Sequence, residues 1–119
     1  MPRRLISFIP GVYYHLYNRG VNRQEIFFED TNYKLFLFNI DRFFLAIADL
    51  VAFCLMPNHY HLLMLIRETS EITSEVTSEV SRAMMKISVS YTKTININYG
   101  RVGPLFQGAF QAKLVDSDL

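Results

Sequence analysis

Two histidines stand one residue apart in CLMPNHYHLLML (residues 54–65), in a chain of 119 residues that has three histidines in all. In an extended strand, residues i and i+2 point to the same side, about 7 Å apart at the backbone. His59 and His61 so placed can converge their imidazoles on one divalent metal ion. The same pair can equally be hydrogen-bonded imidazoles without a metal. Two histidines also leave a metal shell incomplete. A carboxylate, an amide oxygen or a third histidine must join them while positions stay open for substrate. Alternation puts Leu63 and Leu65 on the histidine face and Tyr60, Leu62, Met64 and Ile66 on the other, which is apolar enough to lie under helices.

The elements around this strand follow from local pattern. Residues 12–18 (VYYHLYN) have strand composition, with Val12, Tyr14 and Leu16 on one face and Tyr13, His15 and Tyr17 on the other; Asn18-Arg19-Gly20 is turn chemistry. From Asp30, read as an N-cap, apolar residues recur at helical spacing through Tyr33, Phe36, Leu37, Ile40, Phe43, Phe44 and Ile47. Residues 50–56 read as a short buried strand, Pro57-Asn58 as a turn and residues 59–66 as a second strand, which makes an antiparallel hairpin.

Thr-Ser-Glu then occurs three times at a four-residue period, from Thr69, Thr73 and Thr77. Helix and strand templates both fit, so residues 69–80 are expected to be a solvated connector or a helix start. From Ser81 a helix is expected, with Met84, Ile87 and Tyr91 as its stripe and an end near Gly100. Residues 100–104 form a turn, and residues 106–115 alternate as a half-buried strand. The order is strand, helix, strand, strand, helix, strand. It predicts one α+β domain over residues 1–119 with a ferredoxin-like βαββαβ plan: a four-stranded antiparallel sheet with both helices on one face. In that plan the first and third strands are neighbours, which brings His15 to the histidine face.

Half of the residues are hydrophobic, with ten Phe and seven Tyr, which excludes a disordered chain. The single Cys54 cannot form an intramolecular disulfide, and a reducing, cytoplasmic setting is expected. No apolar run approaches the ~18 residues of a membrane span, and Met1-Pro2-Arg3-Arg4 is not followed by a signal-peptide core, so no membrane partner is expected. The net charge is only +1, but it is segregated. Residues 1–24 carry Arg3, Arg4, Arg19 and Arg23 without an acid, and residues 80–115 carry Arg82, Lys86, Lys93, Arg101 and Lys113 without one. Two such segments can converge into a phosphate-binding surface or remain ordinary solvated faces.

Three blocks, YYHLYNRGVNRQEIFF (residues 13–28), CLMPNHYHLLM (residues 54–64) and GRVGPLFQG (residues 100–108), resemble in order and approximate spacing the REP-associated tyrosine transposases. These are relatives of the single-tyrosine insertion-sequence transposases of the His-hydrophobic-His (HUH) nuclease class. The resemblance implies a DNA-binding transposase domain of mobile-element type, acting on single-stranded or hairpin DNA. It assigns a divalent metal, magnesium or manganese, to His59 and His61. It implies DNA cleavage and rejoining by metal-assisted tyrosine transesterification, as in DNA transposition and recombination. Asn18, Arg19, Arg23, Arg101, Gln107 and Lys113 become the expected DNA contacts, Arg and Lys for phosphate or guanine and Asn and Gln for base edges.

The family's nucleophilic tyrosine lies on a helix after the last strand, which falls beyond Leu119, so no catalytic residue is expected within this chain and the isolated chain is expected not to cleave. Related transposases act as dimers, so a homodimer is compatible with the resemblance. Relatives carry basic residues near Ala109 and Gln111, where this chain keeps only Lys113, and weaker DNA binding is expected. Two other readings stay open: a non-catalytic relic that binds hairpin or single-stranded DNA, and a ferredoxin-like module whose histidines are structural.

Overall fold

The computed structural model describes residues 7–44, 46–68 and 75–115. Strand β1 (Tyr13–Arg19) leads through a 3-10 turn (Val21–Arg23) to helix α1 (Asp30–Phe44); strands β2 (Ala48–Met56) and β3 (His59–Ile66) form the hairpin, followed by helix α2 (Glu75–Tyr99) and strand β4 (Gln111–Leu114). The four strands make one antiparallel sheet in the order β2-β3-β1-β4. This is the ferredoxin-like arrangement that the element order predicts.

Alternation decides which face is covered. Along β3 every second residue is buried, with Tyr60, Leu62, Met64 and Ile66 at 1% exposure or less. Their partners on β1, Tyr14 and Leu16, are equally buried, and all join one core with Phe36 and Ile40 of α1 and Val80, Met84, Ile87, Tyr91 and Ile95 of α2. Removing a Leu or Ile side chain of this kind from water contributes about 1.5–3 kcal/mol. The hydrophobic effect therefore fixes the register, because a slip of one residue would turn Leu62 outward and His61 into the core. No helix among the described residues is long and apolar enough to cross a membrane.

Three local expectations change and one is narrowed. Residues 50–56 are not a buried strand: β2 begins at Ala48, and Asp49, Val51, Ala52, Phe53, Cys54 and Met56 are all exposed. The cause is its position at the sheet edge, where it pairs with β3 alone. Asp30 is the first helical residue of α1, and it is the Asn32 side-chain oxygen that accepts from the N–H groups of Phe28 and Glu29 ahead of the helix. The final strand shrinks from residues 106–115 to Gln111–Leu114. Gly108, at φ +66°, turns the chain out of strand geometry just before it, so Phe106 keeps only an isolated bridge to Gly20. Helix α2 starts at Glu75, inside the Thr-Ser-Glu repeat, because Val76 and Val80 are buried and Thr77 accepts the Phe8 N–H. Residues 69–74 of the repeat, like Arg3 and Arg4, lie outside the described residues.

Candidate functional site

The open face of the sheet gathers the polar chemistry. Antiparallel pairing sets Arg19 opposite His59, Tyr17 opposite His61 and His15 opposite Leu63; on the far side of β1, Lys113 pairs with His15 and Gln111 with Tyr17. Around the first half of β3 lies a cleft of about 500 Å³ bounded by Tyr17, Arg19, Arg23, His59, His61 and Gln107, with Asn18, Asn58 and Gln111 completing its wall. No carboxylate borders it, and neither guanidinium forms an ion pair among the described residues.

The three histidines do not converge on one point. The rings of His59 and His61 stand edge to face with centroids 5.2 Å apart. His15 instead bonds His61, Nε2 to Nδ1, at 2.8 Å, and His59 Nδ1 lies 2.7 Å from Asn58 Oδ1. Tyr17 stacks on His15 at 4.6 Å. Partial burial, then the charge of His61 and of Lys113, lowers the His15 pKa; partial burial, then His59, lowers that of His61. Both shifts favour neutral imidazoles, the form that ligates metal.

The donor set suits a divalent cation in part. His59 and His61 supply two imidazoles on one face, and no group of three His, Cys, Asp or Glu that could hold a metal occurs among the described residues. The amides of Gln107 and Gln111 border the same cleft.

The expected DNA contacts separate into three groups. Arg19, Arg23 and Gln107 meet at the cleft, and Lys113 stands beside it with Nζ 5.8 Å from the centre of the Tyr17 ring. Asn18 sits in the cleft wall but is 5% exposed; its amide donates to the Gly108 carbonyl, and its oxygen accepts the Arg19 N–H. Arg101 lies elsewhere: its guanidinium bonds Asn96 and, at 2.9 Å, Gln24, bracing the turn after α2 against the loop after β1. The basic residues thus converge only partly, because Arg82 and Lys86 project from α2 beside Arg42 and Phe43.

That loop is built tightly. A Cβ on Gly20 would meet the Gln24 carbonyl oxygen at 2.1 Å, so only glycine lets the chain fold back here. The Gly20 N–H donates to the Asn58 carbonyl, and those of Ile26 and Phe27 donate to the Pro57 carbonyl, which fastens the loop over the hairpin tip. The sequence marks Asn58 only as a turn residue, and spacing does not announce its contact with His59. The two tyrosines near the end of α2 are committed elsewhere. Tyr91 is buried and donates to the Ile26 carbonyl, with its pKa pushed up by burial; Tyr99 donates to the Glu29 carboxylate, which raises its own.

Solved transposase structures share this fold. Over 98% of its length the chain superposes on a REP-associated tyrosine transposase bound to a REP hairpin, with a TM-score of 0.62 and 16% identity. It spans 64% of that protein's chain. A second match is a candidate transposase from Deinococcus radiodurans R1, with a TM-score of 0.57, 16% identity and coverage of 98% of this chain and 87% of that one. No protein-family model and no curated protein sequence matches the chain. The likeness is one of fold: this chain has a transposase-like fold.

Proposed function

We propose that this domain binds single-stranded or hairpin DNA on its open sheet face and belongs to the HUH class of DNA transposases. The observation that carries the reading is the cleft itself: a His-x-His pair, two guanidiniums and two glutamine amides, with neither an ion pair to those guanidiniums nor a carboxylate on the wall among the described residues. Arg19 and Arg23 take phosphate oxygens. Gln107 and Gln111 offer base-edge hydrogen bonds, and the Tyr17 ring offers a stacking surface.

His59 and His61 would hold the magnesium or manganese ion, which when bound neutralises charge on a phosphate oxygen. The implied reaction is transesterification: a tyrosine hydroxyl attacks phosphorus, the 3′-oxygen leaves, and a 5′-phosphotyrosine keeps the bond energy for rejoining. We assign no nucleophile to the described residues: Tyr17 is given the stacking role, and Tyr91 and Tyr99 donate their hydroxyls to the Ile26 carbonyl and the Glu29 carboxylate. Cleavage and rejoining are proposed for a chain that also carries that tyrosine.

The test is fluorescence anisotropy with a labelled hairpin oligonucleotide, titrated at several salt concentrations with and without Mn²⁺. Expected are binding that weakens steeply with salt and an enhancement by Mn²⁺ that His59→Ala removes. Absent or salt-insensitive binding would overturn the reading.

A further inference from the structure

We infer that Asn58 is a positioning residue for the histidine pair: its side-chain oxygen accepts the Nδ1 proton of His59, which leaves the His59 Nε2 lone pair free for a ligand. The inference rests on the reading of His59 and His61 as a ligand pair.

The argument for His59 starts at Asn58. Its side-chain nitrogen lies 3.4 Å from the Arg23 carbonyl oxygen. Flipping the amide would put two oxygens face to face there, so the amide nitrogen points at Arg23 and Oδ1 points at His59. An amide oxygen can only accept. The contact of 2.7 Å to His59 Nδ1 therefore requires the proton on Nδ1, and Nε2 of the neutral ring keeps its lone pair.

At His61 the geometry leaves the direction open: Nδ1 meets His15 Nε2 at 2.8 Å, and two neutral imidazoles so placed share one proton that either ring can hold. Ligating histidines generally donate their other nitrogen to an acceptor such as the Asn58 oxygen, which orients the ring and raises its basicity.

The Arg23 carbonyl that orients Asn58 is itself held in an uncommon backbone. Asn22 and Arg23 both adopt left-handed conformations, at φ 55° and 59°. Such conformations persist only where surrounding contacts enforce them. The Gly20 and Ile26 bonds to the hairpin tip supply that enforcement. One short loop thus presents the Arg23 side chain to the cleft and its carbonyl to the Asn58 amide.

The test is a long-range ¹H–¹⁵N correlation spectrum of the imidazoles of the metal-free protein at about pH 8, where histidines are neutral. A solvated histidine favours the proton on Nε2, so the Nδ1–H form of His59 is the expected and distinctive result. Asn58→Ala should return His59 to the Nε2–H form. The conservative replacement Asn58→Asp still offers an acceptor and should retain the wild-type form. Mn²⁺ affinity, read by electron paramagnetic resonance, should fall about ten- to a hundredfold in the Ala variant and recover in the Asp variant. An Nε2–H form of His59 in the wild type, or a tautomer indifferent to both substitutions, would overturn the inference. An Nδ1–H form of His59 in a protein that binds no Mn²⁺ would uphold the hydrogen-bond assignment and overturn the metal reading under Proposed function.

Discussion

On the covered face of the sheet, Leu16 and Leu62 are wholly buried and belong to one cluster with Phe36, Ile87 and Tyr91; on the open face of the same two strands, His15, His61 and Leu63 remain half-buried. The strands are shared, so the difference comes from alternation alone. The lesson is that the packed core and the proposed ligand face sit on opposite sides of a single layer, and substitutions on the two sides should be separable.

Leu62→Ala should have the largest effect on the fold. Deleting a fully buried Leu side chain costs about 2–5 kcal/mol, read as a lower urea midpoint at unchanged slope. Hairpin affinity per folded molecule should stay at the wild-type value. A loss of affinity at constant folded fraction would break the separation of the two faces.

Gly20→Ala should come next and act on both properties, because Gly20 ties the cleft loop to the hairpin tip. Forcing a methyl group against the Gln24 carbonyl costs about 1–3 kcal/mol. The loop then moves, and hairpin binding should weaken together with stability. Unchanged anisotropy titrations would show that the Arg23 region does not meet DNA.

Arg23 and Arg101 sharpen the comparison at smaller scale. The sequence presents both as arginines in turns, but Arg23 is free at the cleft while Arg101 is bonded to Asn96 and Gln24. Arg23→Ala should lower the slope of log affinity against log salt by about one unit at nearly constant stability. Arg101→Ala should leave the slope alone and reduce stability by about 1 kcal/mol, the scale of a lost hydrogen-bonded brace. A reversed pattern would move the proposed DNA surface to the far side of the loop.

These cases show what was legible in the sequence. Period-two alternation in HYHLLMLI is a local signal strong enough to place both histidines on the open face before any contact is known. The adjacency of the first and third strands, which brings His15 to the same face, then follows from the ferredoxin-like plan. The partners of Asn58, Asn18 and Arg101 were not legible. Each is set by loops that meet over separations of 35 to 90 residues, and turn composition says nothing about what a turn packs against. The burial of β2 was misread for a related reason. An apolar run of this length looks alike in a central strand and at an edge, and its neighbours decide.

The hairpin gives the smallest and most discriminating test of that point. Phe53 of β2 lies directly opposite Leu62 of β3, yet Phe53 is 54% exposed and Leu62 wholly buried. Phe53→Thr keeps a strand-favouring residue at an edge position that gives up little packing, so its effect on the urea midpoint should fall within about 0.5 kcal/mol. A cost near that of Leu62→Ala would mean that the outer side of β2 is covered in solution. Sedimentation of the wild-type chain would then read out the covering partner directly, since an edge strand with exposed Val51, Phe53 and Met56 pairs most readily with another strand.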